Sequence, residues 1–88
     1  MARTVFHYGA RQSCITVFDD EKNIPEYVIH LIKDTYLASR IISARMIETW
    51  KLSQREVQFL IQLEDDQFVR FLRISDGYME LIKQLPKK

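Results

Sequence analysis

Residues 23–50, NIPEYVIHLIKDTYLASRIISARMIETW, form the longest stretch of the chain without glycine or an internal helix breaker. Asn23 followed three residues later by Glu26 is a helix-start signature, and Pro25 in a first turn costs no hydrogen bond. Apolar residues then recur at helical spacing. One stripe contains Val28, Leu31, Ile32, Thr35, Ala38, Ile42 and Met46. The pattern predicts a single long helix over 25–50.

The length of this predicted helix has a consequence for assembly. At 1.5 Å per residue it would be about 39 Å long, whereas a compact chain of 88 residues is only about 30 Å across. A further row of apolar residues widens the stripe, so we expect the helix to be covered on several sides. The sequence therefore predicts a homodimer that forms through this helix. The predicted dimer contact contains Tyr36, Leu37, Ile41 and Ala44.

Composition limits the class of protein. The chain has 13 basic and 12 acidic residues and a net charge of +1, which argues against binding a polyanion by bulk charge. We expect one domain over 1–88, no membrane-spanning segment and no secretion signal. The single cysteine, Cys14, excludes an internal disulfide and fits a reducing compartment. These features predict a folded cytoplasmic protein.

Two short runs near the N-terminus are rich in β-branched and aromatic residues. They are residues 4–8, TVFHY, and residues 13–18, SCITVF. Residues 9–12 between them contain a glycine and suit a hairpin loop. The sequence therefore predicts an N-terminal β-hairpin.

Residues 53–85 allow two interpretations. Ser53 followed by Glu56 has the spacing of a capping box, and the apolar residues after it fit two or three short helices. The predicted fold is then α+β, with an N-terminal β-hairpin, one long helix and two or three short C-terminal helices. However, Val57, Phe59, Ile61 and Leu63 also alternate. The alternation leaves open a pair of strands over 57–74 in place of two helices.

The residue types that carry chemistry are few and dispersed. His7, Cys14 and His30 are the only imidazole or thiol groups, and no two of them lie within four residues, as structural zinc sites usually require. The acid pairs at 19–20 and 65–66 lie where connectors and caps need carboxylates. We expect no metal site, no cofactor and no enzymatic activity.

Residues 45–72, RMIETWKLSQREVQFLIQLEDDQFVRFL, resemble the helix-turn-helix of Xre-type repressors and related antitoxins, in which an aromatic residue precedes Leu-Ser-x-x-Glu and an apolar helix. The matching residues are Trp50, Leu52, Ser53, Glu56, Val57, Leu60 and Ile61. The resemblance implies one helix on 53–61 and a recognition helix on about 65–73. It therefore implies a DNA-binding repressor or antitoxin.

This chain departs from that family pattern at two points. Gln62 stands where the family has a glycine, and Glu64, Asp65 and Asp66 would direct negative charge at the phosphates. Basic residues around the motif offset these acids in part. The candidate DNA-binding residues are Arg45, Lys51, Arg55, Arg70 and Arg73.

The preferred prediction is a small regulatory or adaptor protein that acts through a helical surface on another protein and on a second copy of itself. Aromatic residues and arginine are enriched at protein interfaces, and the C-terminal third of the chain is rich in both. The predicted partner-binding residues are Trp50, Phe68, Arg70, Phe71, Arg73 and Tyr78. The helix-turn-helix repressor or antitoxin is the alternative.

Overall fold

The computed structural model describes residues 2–8, 11–52 and 54–87, with side chains from residue 12 onward. Within these residues, six strands form one antiparallel sheet in the order of the chain. They are β1 (Ala2–Tyr8), β2 (Arg11–Val17), β3 (Arg40–Lys51), β4 (Gln54–Glu64), β5 (Phe68–Ser75) and β6 (Tyr78–Pro86). A 3-10 turn (Glu21–Asn23) and a single α-helix, α1 (Glu26–Thr35), connect β2 to β3. The protein is predominantly β, so the predicted helix-rich α+β fold is wrong.

The long helix predicted over 25–50 is wrong beyond its first ten residues. Helix α1 ends at Thr35, which makes it about 15 Å long. The backbone N–H of Tyr36 closes it by donating to the carbonyl oxygen of Ile32 at 2.8 Å. Its N-cap is Pro25, without a side-chain hydrogen bond, so the predicted cap from Asn23 does not form.

The second half of the predicted helix is strand β3. Residues 40–51 are dense in β-branched and aromatic side chains, which favour extended backbone. Strands β2 and β4 pair with β3 on its two sides and satisfy its backbone groups. Residues 25–50 therefore do not form a helix longer than the body of the protein. The length of the helix is no longer a reason to expect a dimer.

The predicted dimer residues lie apart from one another. Tyr36 caps α1, and Leu37 is 81% exposed in the turn that follows. Ile41 and Ala44 lie on β3 and pack into the core of their own chain, where Ala44 is 1% exposed. These four residues therefore form no common surface on a helix.

The predicted C-terminal helices are also wrong, and the strand pair left open for 57–74 is correct. Residues 54–64 and 68–75 form β4 and β5. The tight turn after β5 contains Asp76 and Gly77, both at positive φ (53° and 77°), as two-residue hairpins require. Ser53 of the predicted capping box lies outside the described residues, and Gln54 beside it begins a strand.

The predicted N-terminal hairpin is present. β1 pairs with β2 from Ala2 opposite Val17 to Tyr8 opposite Arg11. Gly9 and Ala10 of the predicted loop lie outside the described residues.

The strands of the sheet are offset along their length. On the side away from β1, β2 pairs with residues 45–51 of β3, and on the side away from β6, β5 pairs with residues 58–64 of β4. The two ends of the sheet are therefore displaced from each other along the central strands.

The core lies between α1 and one side of β3, β4 and β5. Residues opposite each other in an antiparallel register share a side of the sheet. We call the side that contains Ala44, Ile61 and Leu72 the helix-covered face. Its core contains Ile24, Val28 and Ile32 from the helical segment and Ala44, Phe59, Ile61, Leu63, Leu72 and Ile74 from the strands. We call the other side, formed by the alternate residues of β2 to β6, the open face.

Candidate functional site on the open face of the sheet

The open face presents its side chains in rows that cross the strands. Three rows follow from the register of the sheet. They read Ile15, Ile47, Gln58, Ser75, Tyr78; then Val17, Arg45, Leu60, Arg73, Glu80; then Ser43, Gln62, Phe71, Lys83. Apolar side chains therefore share this face with charged, amide and hydroxyl side chains.

Burial differs between the two faces. Every strand side chain that is buried lies on the helix-covered face, and no described side chain on the open face of β2–β6 is buried. The open face nevertheless carries many large apolar residues. They are Ile15, Val17, Ile47, Leu60, Val69, Phe71, Tyr78 and Leu85. An antiparallel sheet with one face in water usually shows polar residues on that face, so this apolar surface needs another explanation.

A groove of about 410 Å³ crosses this face over β3, β4, β5 and β6. Its apolar surface comes from Leu60, Phe71 and Ile82. Ile82 reaches the groove because a register shift at Phe71/Leu72 makes it the extra residue of a bulge in β6. The volume lies in the range of ordinary binding sites. Ser43, Gln62, Arg45 and Lys83 add polar groups to the lining.

The charges of the groove are not balanced. Most acidic side chains on the open face already form ion pairs with arginine: Arg73 binds Glu80 at 2.7 Å, and Arg40 binds Glu64 at 2.6 Å. By contrast, neither Arg45 nor Lys83 has an acidic partner within 4 Å among the described residues. The groove therefore carries two unpaired positive charges, one from β3 and one from β6.

The structure divides the predicted partner-binding residues between the two faces. Phe71, Arg73 and Tyr78 lie on the open face, and Tyr78 is 80% exposed. Trp50 and Phe68 are half-buried on the side of the sheet that contains the core. These six residues therefore do not form one surface, but three of them belong to the open face.

Arg70, another predicted partner-binding residue, makes several contacts within its own chain. It donates from Nη1 to Asp65 Oδ2 at 2.5 Å and from Nε to Gln84 Oε1 at 2.8 Å. Its guanidinium lies 5.0 Å from the ring centroid of Tyr36 and 5.1 Å from that of Phe68. This guanidinium, together with backbone N–H groups of the turn, lowers the pKa of Asp65 from its usual 3.8 to about 2. Arg70 thus links the end of α1 to the β4–β5 turn.

The helix-turn-helix arrangement is wrong, because the ranges 54–61 and 68–73 that it assigns to helices are strands. Its candidate DNA-binding residues are also dispersed. Arg45, Lys51 and Arg73 lie on the open face, with Lys51 at the end of β3, whereas Arg70 lies on the helix-covered side. Arg55 binds the buried carboxylate of Glu48 at 2.5 Å.

The groups considered for metal binding or catalysis do not meet. Cys14 is buried on β2, and His30 is exposed on α1. The side chain of His7 lies outside those that the structure describes. Among the described residues, no three histidine, cysteine or acidic side chains are placed to hold a metal ion. The described helices also include none with the length and apolar content to cross a membrane.

Sequence reasoning missed Ser43, Leu60, Gln62, Ile82 and Lys83 as parts of the groove. The alternation of Val57 to Leu63 would have placed Gln62 on the opposite face. No sequence signal places Ile82 and Lys83, because their position depends on the bulge in β6. Comparisons with protein-family models, with curated proteins and with solved structures each found no match.

Proposed function

We propose that this protein is a non-catalytic adaptor or regulatory protein that binds a partner protein on the open face of its sheet. The observation that carries the proposal is the partly exposed apolar surface around Leu60 and Phe71, with the unpaired cations Arg45 and Lys83 beside it. Sheets bury an apolar face against another layer. Exposed apolar patches with polar rims are typical of interaction sites. Aromatic residues and arginine, both present here, are enriched in protein interfaces.

The edge strand β6 supports this proposal less well than the open face. Strand β6 is an edge, but it carries the bulge at Ile82 and a proline, Pro86, near its end. Lys83 and Lys87 add charge along it. Bulges, proline and lysine are the features by which natural edge strands avoid pairing with other chains. A partner therefore gains more from the face than from the edge.

The homodimer stays a prediction without the long helix as its basis. The lack of enzymatic activity also stays a prediction. The open face now supplies the reason to expect a partner, and a second copy is one candidate for that partner. Sedimentation of the purified protein measures its oligomeric state directly.

A capture experiment with matched variants tests the proposed function. The immobilised wild-type protein, Phe71→Glu and Leu37→Glu are each exposed to a lysate of the source organism, and retained proteins are quantified by mass spectrometry. Phe71→Glu puts a charge on the open face, whereas Leu37→Glu changes an apolar side chain that is 81% exposed elsewhere. We expect a partner that the wild type and Leu37→Glu retain and that Phe71→Glu loses by about tenfold or more.

Circular dichroism and the melting temperature establish that both variants are folded. If every retained protein is retained equally by the three baits, the open face is not the binding surface. In that case the proposal is wrong.

A further inference from the structure

We infer that the partner segment is an acidic amphipathic helix that lies along β4 and β5, with carboxylates on its two flanks facing Arg45 and Lys83. This inference rests on the proposed function, because it takes the open face as the docking surface. It adds the secondary structure, charge and orientation of the segment that docks there.

The spacing of the two cations fits the width of a helix. Arg45 lies on β3 and Lys83 on β6, three strand spacings apart, which is about 14 Å. An α-helix with its side chains is about 10–12 Å wide. A helix that runs along the strands therefore fits between the two cations, and its two flanks face one cation each. A single added strand would be too narrow to face both.

The floor between the cations suits the apolar stripe of such a helix. Leu60 and Phe71 lie on the two central strands of the groove, and Ile82 forms its side on β6. On the helix-covered face, α1 uses the same kind of packing: Val28 and Ile32 contact the aliphatic side chains of β3–β5. A second helix on the open face would complete a layer on each side of the sheet.

The charge of the groove selects an acidic segment. Arg45 and Lys83 are exposed and lack acidic partners among the described residues. Carboxylates at both flanks would give each cation a partner and would disfavour segments with basic flanks. A second copy of this chain, docked by the same face about a two-fold axis, would bring the same cations of both copies into one interface. The charge pattern therefore favours an acidic helix over a second copy.

Two designed peptides test the inference. Both are 18 residues long and labelled with fluorescein, and both carry leucine at the i, i+3, i+4 and i+7 positions. One has glutamate on both flanks of the leucine stripe, and the other has lysine. Fluorescence anisotropy measures their binding to the full chain. We expect the acidic peptide to bind at least about tenfold more tightly than the basic one, which corresponds to about 1.4 kcal/mol.

Charge reversal at the two cations gives the sharper comparison. Arg45→Glu with Lys83→Glu changes only exposed side chains and should reverse the preference, so that the basic peptide binds more tightly. The matched control is Lys22→Glu with Lys33→Glu, which changes the net charge by the same amount at exposed positions outside the open face. The control should keep the preference for the acidic peptide.

The outcomes separate this inference from the proposed function. If both peptides bind equally and Leu60→Glu abolishes both, the open face is a docking surface but the inference about acidic flanks is wrong. If neither peptide binds, or if Leu60→Glu leaves binding unchanged, the inference is wrong, whereas the proposed function is decided by the capture experiment with Phe71→Glu. A dimer that Leu60→Glu dissociates would show that a second copy occupies the face. Tighter binding of a single-stranded oligonucleotide that competes with the acidic peptide would identify the occupant as nucleic acid. Either result overturns the inference.

Discussion

The two faces of the sheet are built from the same strands and yet have opposite surroundings. Along β4, Ile61 and Leu63 point to the helix-covered face and are 2% and 0% exposed. Leu60, directly before Ile61, points to the open face, where it is only half-buried. Apolar residues occur on both faces, although on β4 the open face also carries Gln58 and Gln62. The position of α1 decides which apolar residues form the core and which remain available to a partner.

Charged residues show the same contrast. On the helix-covered side, Glu48 is 6% exposed and accepts two hydrogen bonds from Arg55. On the open face, Arg73 and Glu80 form a pair at 2.7 Å in which both side chains remain substantially exposed. Removing the cation from a pair that includes a buried carboxylate is costly, because water cannot solvate the buried charge in its place. An exposed pair contributes little to stability.

The largest expected difference between the faces comes from two leucines of one strand. Leu63→Ala leaves a cavity in the core and should lower the free energy of unfolding by about 2–5 kcal/mol. Leu60→Ala removes a half-exposed side chain and should cost roughly 1 kcal/mol or less. Denaturant unfolding followed by circular dichroism measures both values. Equal losses would mean that the open face is covered within the isolated protein, for example by a second copy.

The two ion pairs should give a smaller difference in the same direction. Arg55→Ala removes a cation from the buried Glu48 carboxylate and should cost roughly 1–3 kcal/mol, since Arg55 itself is half exposed. Arg73→Ala breaks an exposed pair and should cost about 0–1 kcal/mol. The same unfolding measurement applies. A larger loss for Arg73→Ala than for Arg55→Ala would contradict the assignment of the faces.

The contrast between the faces also explains how much of the fold could be read from the sequence. The N-terminal hairpin was predictable because β-branched runs flank a glycine. The alternation of Val57 to Leu63 correctly offered strands over 57–74. In β3, however, apolar residues such as Ile41, Ile42 and Ile47 occur on both sides of the strand, so the period of two disappears. Ala38, Ile42 and Met46 also lie at helical spacing. For this reason the predicted helix was too long.

The candidate site was readable only in part, for a related reason. Phe71, Arg73 and Tyr78 were predicted from residue type alone, since aromatic residues and arginine favour interfaces. Arg45 was selected through a DNA-binding motif that the structure does not contain. Lys83 was not selected, because its place beside Phe71 depends on the strand order and on the bulge in β6. The groove depends on how strands that are distant in the sequence are aligned with one another. Local sequence patterns do not reveal that alignment.

The smallest expected effect concerns the polar border of the helix-covered face and is seen as a loss of stability when the pH falls into the acid range. Arg70, Gln67 and Phe68 hold the pKa of Asp65 at about 2, below its usual 3.8. A carboxylate with a lowered pKa stabilises the fold above its unfolded pKa, and this contribution is lost as the pH falls from about 4 to about 2. Asp65→Asn should therefore flatten the decrease in unfolding free energy over that interval.

The control variant is Asp66→Asn. It removes a carboxylate that lies in the same turn but makes none of these hydrogen bonds. Urea unfolding at pH 2, 3, 4 and 5 measures the slopes. If Asp66→Asn flattens the curve as much as Asp65→Asn, the contact with Arg70 is not its cause.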